Sequence, residues 1–149
     1  NYVEEADLEA NEPQVRVVYS RPQMKGRKVF GDLLKFGEVW RVGANETTTI
    51  TFFYDVTIAG TAVKAGTYGL FATVNKDNWE FILHKNVQSW GNNNHNDEDN
   101  VLKVMAKTEK TPSTLEALSM TFVEKGTNQI DLVVGWENTM ARLPITVNK

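Results

Sequence analysis

Cysteine is absent from these 149 residues, which excludes disulfides and thiol chemistry. That absence does not fix the compartment, because domains of this size manage without crosslinks. Histidine is nearly absent: His84 and His95 have no HExxH or comparable ligand spacing around them. A structural zinc site therefore lacks ligands, and a catalytic one would need a carboxylate as its third. No GxSxG elbow serves a histidine-dependent serine, and neither GxGxxG nor GxxxxGK[ST] occurs. No apolar run approaches the roughly 18 residues of a spanning helix. Positive charge is not in excess either. The formal net charge of −3 argues against nucleic acid as a partner. No cofactor is indicated, and no catalytic residue is assigned.

A 3.6-residue apolar stripe of useful length is also missing, and period-2 patterns take its place. In the run Thr47 to Tyr54, Ile50, Phe52 and Tyr54 fall on one face and Thr49, Thr51 and Phe53 on the other. Residues 14–20, 38–42, 67–74, 79–85, 101–106, 117–123, 130–136 and 143–147 read the same way. Ala59-Gly60 sits between two short runs as a two-residue hairpin turn. Pro112, Gly126 and Asn138 separate the later runs, and one helical turn is expected over Asp32 to Lys35. Short strands with regular turn signals predict an all-β fold: an antiparallel two-sheet β-sandwich, with the jelly-roll as one form of it. Residues 1–13, rich in Glu and Asp, read as a short acidic arm before a single domain over 14–149.

The stretch from Tyr19 to Thr49 concentrates unusual residues. Arg21, Lys25, Arg27, Lys28 and Arg41 alternate with Phe30, Phe36 and Trp40, and four glycines and Pro22 punctuate them. Guanidinium forks grip carboxylate, phosphate or sulfate, and Trp40 would supply an apolar wall. The bland alternative is a structural ion-pair network with Asp32, Glu38 and Glu46. Asn45 and Glu46 follow a Gly-Ala turn, where asparagine tolerates a left-handed backbone. Trp90 roots the polar loop 86–100, either anchoring it on the core or stacking on a sugar ring. Asp97, Glu98 and Asp99 with Asn92 to Asn94 offer oxygen ligands, but without EF-hand spacing they read as a solvated connection. The candidate ligand-binding set is thus Arg21, Lys25, Arg27, Trp40, Arg41, Asn45, Glu46 and Trp90, with no metal ligand.

The segments YSRP, KGRKVFGDL, GEVWRVGANETTTITF and AGTYGLF, in this order, resemble an uncharacterised, mostly secreted Bacteroidetes family, domain of unknown function 2911. The resemblance runs from about Val15 to Val147. It implies a β-rich protein and a periplasmic or secreted location, and it carries no activity. The start, NYVEEADLEANE, has neither part of a signal peptide, so an exported protein would be present here in processed form.

Three functions are consistent with these residues. The first is a non-catalytic extracytoplasmic module binding a saccharide or an anionic small molecule. The second is a structural or protein-interaction module, with its oligomeric state open. The third is a glycan hydrolase using a carboxylate pair, for which Glu38, Glu46 and Glu80 are the residues to inspect.

Overall fold

The computed structural model of the chain describes residues 12–85 and 97–149. Most of the acidic arm, His95 and Trp90 lie outside them. Among the described residues, ten strands form two antiparallel sheets that stay open at their edges. The first contains β1 (Val15–Val18), β2 (Val39–Trp40), β3 (Thr49–Phe52), β6 (Gly66–Val74), β7 (Asn78–His84) and β8 (Asn100–Lys107). Its order is β1-β3-β6-β7-β8, and β2 pairs with the far end of β6. The second, ordered β5-β4-β10-β9, contains β4 (Val56–Ile58), β5 (Thr61–Val63), β9 (Glu109–Gly126) and β10 (Gln129–Val147). This is the expected β-sandwich. Between β4 and β5, Ala59 (φ 49°) and Gly60 (φ 77°) make the left-handed two-residue turn that suits a twisted hairpin.

Alternation sends Leu70, Ala72 and Val74 of β6 and Trp79, Phe81 and Leu83 of β7 into the space between the sheets. Leu132, Val134 and Trp136 of β10 join the same core. At its centre, Trp40 lies edge-on to Trp79 and stacked on Trp136, with ring centroids 6.0 Å apart in both pairs. Phe30 covers Trp79 from the loop side at 5.5 Å. Phe71, Ile82 and His84 are buried on the outer face of the first sheet, where His84 meets Phe71 edge-on at 5.5 Å.

Two features depart from the sequence reading. The runs expected to end at Pro112 and Asn138 belong to strands of 18 and 19 residues. Pro112 falls where the β9–β10 register skips from Leu115 to Lys110, a bulged stretch of an edge strand in which a missing N–H costs little. Asp32 to Lys35 form hydrogen-bonded turns and no helix: Leu33 and Leu34 N–H donate to Lys28 and Val29 carbonyls at 3.1 and 2.8 Å. Left-handed Gly31 (φ 97°) and Gly37 (φ 84°) bracket this stretch and close it into a compact loop.

Candidate functional site

At one end of the sandwich four chain segments surround a groove of about 620 Å³. The loop 28–37 contributes Lys28, Phe30 and Phe36, and the β6–β7 turn contributes Asn75, Lys76 and Asp77. Thr108, Glu109 and Lys110 come from the corner where the chain leaves the first sheet for the second. Glu137, Asn138 and Thr139 come from the irregular part of β10. The volume falls within the roughly 300–1,000 Å³ of small-molecule sites.

Glu137 holds these walls together. Register shifts on both sides of it and its left-handed backbone (φ 55°) turn the side chain out of the regular pleat. Its two carboxylate oxygens accept long hydrogen bonds from the N–H groups of Val29 (3.4 Å) and Phe30 (3.3 Å). The loop carrying Lys28 and Phe36 is thereby tied to β10. Phe36 in turn rests against Gly31, where an added Cβ would come within 3.1 Å of the ring. The residue is 46% exposed, which leaves part of it open to a ligand.

The charges in the groove are unevenly committed. Arg142 Nε donates to Glu109 at 2.8 Å, and Glu137 is directed at backbone. Asp77 has no ion-pair partner among the described residues, and neither do Lys28, Lys76 and Lys110. Asn138 Oδ1 accepts from the Thr139 hydroxyl at 2.9 Å, which leaves its NH2 as a donor. The groove therefore offers an exposed aromatic side chain, three ammonium groups without an ion-pair partner among the described residues, and the Asn138 amide as a donor.

The expected binding residues lie elsewhere. Arg21 donates from Nε to the Leu118 carbonyl (3.0 Å) and from Nη2 to Ser119 Oγ (3.1 Å). It caps the edge of β9, where the Leu118 N–H donates to the Pro22 carbonyl and the Met120 N–H to the Tyr19 hydroxyl. Arg27 folds onto its own turn, bonding the carbonyls of Met24 (2.9 Å) and Gln23 (2.8 Å). Lys25 sits in a left-handed turn with its backbone N–H on Glu116 Oε1 at 3.0 Å. Trp40 is 4% exposed, and its indole N–H donates to the Gly43 carbonyl at 3.1 Å. Arg41 follows it on the β2–β3 connection, with its Nε buried and unbonded. Asn45 takes the left-handed backbone its type favours (φ 65°), and Asn45 and Glu46 are exposed. Trp90 lies outside the described residues. None of the three cavities described, of about 620, 260 and 60 Å³, is lined by Arg21, Lys25, Arg27, Arg41, Asn45 or Glu46. Trp40 borders the smallest together with Glu38.

Of the carboxylates to inspect for hydrolysis, Glu80 pairs with Lys103 at 3.9 Å, and Glu38 and Glu46 are exposed. Among the described residues no three His, Asp or Glu side chains are grouped to hold a metal. No helix there is long and apolar enough to cross a membrane.

The fold and groove define an all-β sandwich with a polar, aromatic-flanked cleft at one end. By sequence the chain belongs to the family described as a protein of unknown function (DUF2911), which matches residues 3–145. No curated protein and no solved structure matches it.

Proposed function

We propose that the chain is a non-catalytic, extracytoplasmic β-sandwich that binds a saccharide or an anionic small molecule in the end groove. The observation that carries this reading is the exposed side chain of Phe36 in one groove with three ammonium groups that have no ion-pair partner among the described residues. Sugar rings present C–H faces that pack on aromatic rings, and anions seek uncompensated cations. Two of the three carboxylates in the groove are occupied, Glu109 by Arg142 and Glu137 by backbone N–H groups. That commitment favours binding over a hydrolytic pair, which needs one free base or nucleophile and one free acid. A glycan array combined with an anion thermal-shift screen tests the proposal. Hits should weaken in a Phe36→Ala variant and be recovered chemically unchanged after incubation. Inert screens, or hits that Phe36→Ala leaves untouched, would remove the groove from consideration. Cell fractionation of the full-length protein tests the extracytoplasmic part, and recovery in the cytosol would refute it.

The second reading, an interaction module, is favoured by Met105 and Val18, which are 58% and 56% exposed on opposite outer strands of the first sheet. Light scattering over a dilution series would show association if those strands pair with another copy, and a strictly monomeric chain would end the self-association form of it.

A further inference from the structure

Resting on that reading, we infer that the groove is built for an acidic saccharide, a short chain whose sugar rings themselves carry carboxylate or sulfate groups. A neutral glycan would use only half of what the groove presents, and a small inorganic anion only the other half.

The aromatic half is fixed in place. Gly31 leaves just enough room for the Phe36 ring, and the Leu34 carbonyl accepts from the Gly31 N–H at 2.8 Å. Behind this loop, Glu137 holds the amides of Val29 and Phe30. A stacking platform anchored on two sides is ordered before the ligand arrives, which lowers the entropic cost of binding.

The cationic half comes from three different segments. Lys28 precedes the loop amides that Glu137 holds, Lys76 sits in the β6–β7 turn, and Lys110 follows the β8–β9 corner. Both neighbouring connections are anchored at their backbones. Asn75 N–H donates to the Asn78 carbonyl at 3.0 Å, and Thr108 N–H to the Asp77 carbonyl at 3.0 Å. The Thr108 hydroxyl also donates to the Lys76 carbonyl at 3.2 Å. Ammonium groups brought to one groove from three segments, without a guanidinium fork among the lining residues, match anions carried at intervals along a chain better than one compact anion gripped at a point. Asp77, the remaining uncommitted carboxylate, would accept hydrogen bonds from sugar hydroxyls. The Asn138 amide would donate to them.

Calorimetric titration of the whole chain tests this with four probes at low and high salt: an oligogalacturonate, a sulfated galactan oligomer, a neutral galactan oligomer of the same length, and inorganic sulfate. Binding of one or both acidic oligomers is expected, at least about tenfold tighter than either the neutral oligomer or sulfate, and weakening as salt rises. The two acidic probes separate carboxylate from sulfate as the recognised group. Phe36→Ala should weaken the acidic oligomer roughly three- to tenfold. Lys28→Gln, Lys76→Gln and Lys110→Gln should each weaken it about two- to fivefold and flatten its salt dependence. All four side chains are exposed, so the variants should keep the near-ultraviolet circular dichroism of the parent. Equal affinity for the neutral oligomer would overturn the inference while leaving a saccharide groove standing. Tight binding of sulfate alone would likewise overturn it and leave an anion site. Acidic-oligomer binding that survives the triple lysine variant and Phe36→Ala would place the ligand elsewhere and overturn both readings. Four silent probes would overturn the inference and leave the broader reading to the glycan array and the anion screen.

Discussion

Three tryptophans meet in one core, yet their indole N–H groups differ, and that difference makes a graded prediction. Trp40 donates to the buried carbonyl of Gly43 at 3.1 Å. Trp136 donates at 3.0 Å to the Glu116 carbonyl, which also accepts from the Met24 N–H at 2.8 Å. The Trp79 N–H is buried with no acceptor. Replacing each by Phe removes a comparable part of an indole from the same cluster, so the packing losses largely cancel in the comparison. What remains is the polar contribution. Trp40→Phe strands a buried carbonyl, at about 1–3 kcal/mol. Trp136→Phe leaves its carbonyl partnered and loses a net bond of about 0.5–1.5 kcal/mol. Trp79→Phe loses no bond and removes an unsatisfied donor, which returns part of the roughly 1–3 kcal/mol its burial costs. The expected order of destabilisation is therefore Trp40 above Trp136 above Trp79. With an m-value of about 2 kcal/mol/M, a gap of about 2 kcal/mol between the extremes separates the urea midpoints by about 1 M. Far-ultraviolet circular dichroism is the readout, because fluorescence would change with the tryptophans themselves. A Trp40→Phe protein as stable as its parent but defective in ligand binding would refute the core assignment and return Trp40 to a cleft wall. Trp79→Phe as the costliest of the three would refute the hydrogen-bond reasoning.

Arg21→Ala should cost about 1–2 kcal/mol in urea unfolding by uncapping the Leu118 carbonyl, and it should leave ligand binding unchanged. Loss of binding at full stability would make that arginine a ligand residue after all. Glu137→Ala should free the amides of Val29 and Phe30, so that hydrogen exchange at Phe30 accelerates while exchange in β7 does not. Unchanged exchange would mean the long bonds do not restrain the loop. Gly31→Ala combines a disfavoured backbone angle (φ 97°) with a 3.1 Å approach to Phe36, and should cost about 1–2 kcal/mol and weaken binding in the groove. A neutral effect on both would detach Phe36 from the site. Burial, assisted by the Asp55 carboxylate, raises the Tyr68 phenol above its usual value. The stability it contributes is complete below the unfolded-state value near 10 and is lost as pH rises through the folded one. Tyr68→Phe should therefore remove part of the alkaline loss of stability, and an identical alkaline limb in the variant would contradict this.

The sandwich was legible because strand periodicity is a local signal. Ile50 and Phe52, or Trp79, Phe81 and Leu83, alternate within a few residues, and all five are buried on the inner face. The full length of β9 and β10 was not legible. Pro112 and Asn138 are turn signals in isolation, and only an edge position and a bulge make them compatible with a strand. Trp40 shows a related limit. An aromatic next to an arginine reads as a cleft wall, but Trp40 ends β2 with its ring in the core, and Arg41 already lies on the connection that follows.

In the stretch 19–49, two of the arginines are committed to backbone oxygens. Guanidinium groups satisfy carbonyls at an exposed sheet edge as readily as they grip anions, and Arg21 and Arg27 bond backbone oxygens of Leu118, Met24 and Gln23. The groove side chains without an ion-pair partner among the described residues include three lysines, which look like ordinary solvated residues in sequence. Lys28, Lys76 and Lys110 are brought together by the β6–β7 turn, by the crossing of the chain from one sheet to the other, and by the hold of Glu137 on the loop 28–37. Phe36 and Lys28 were visible as part of an unusual stretch, but the groove residues of the other three segments lie 39 to 111 residues further along and share no motif with them. Under the proposed function, specificity would be written in the pairing of strands that assembles the groove. The most economical signal for it is therefore an exposed aromatic held against a left-handed glycine, which Phe36 and Gly31 supply.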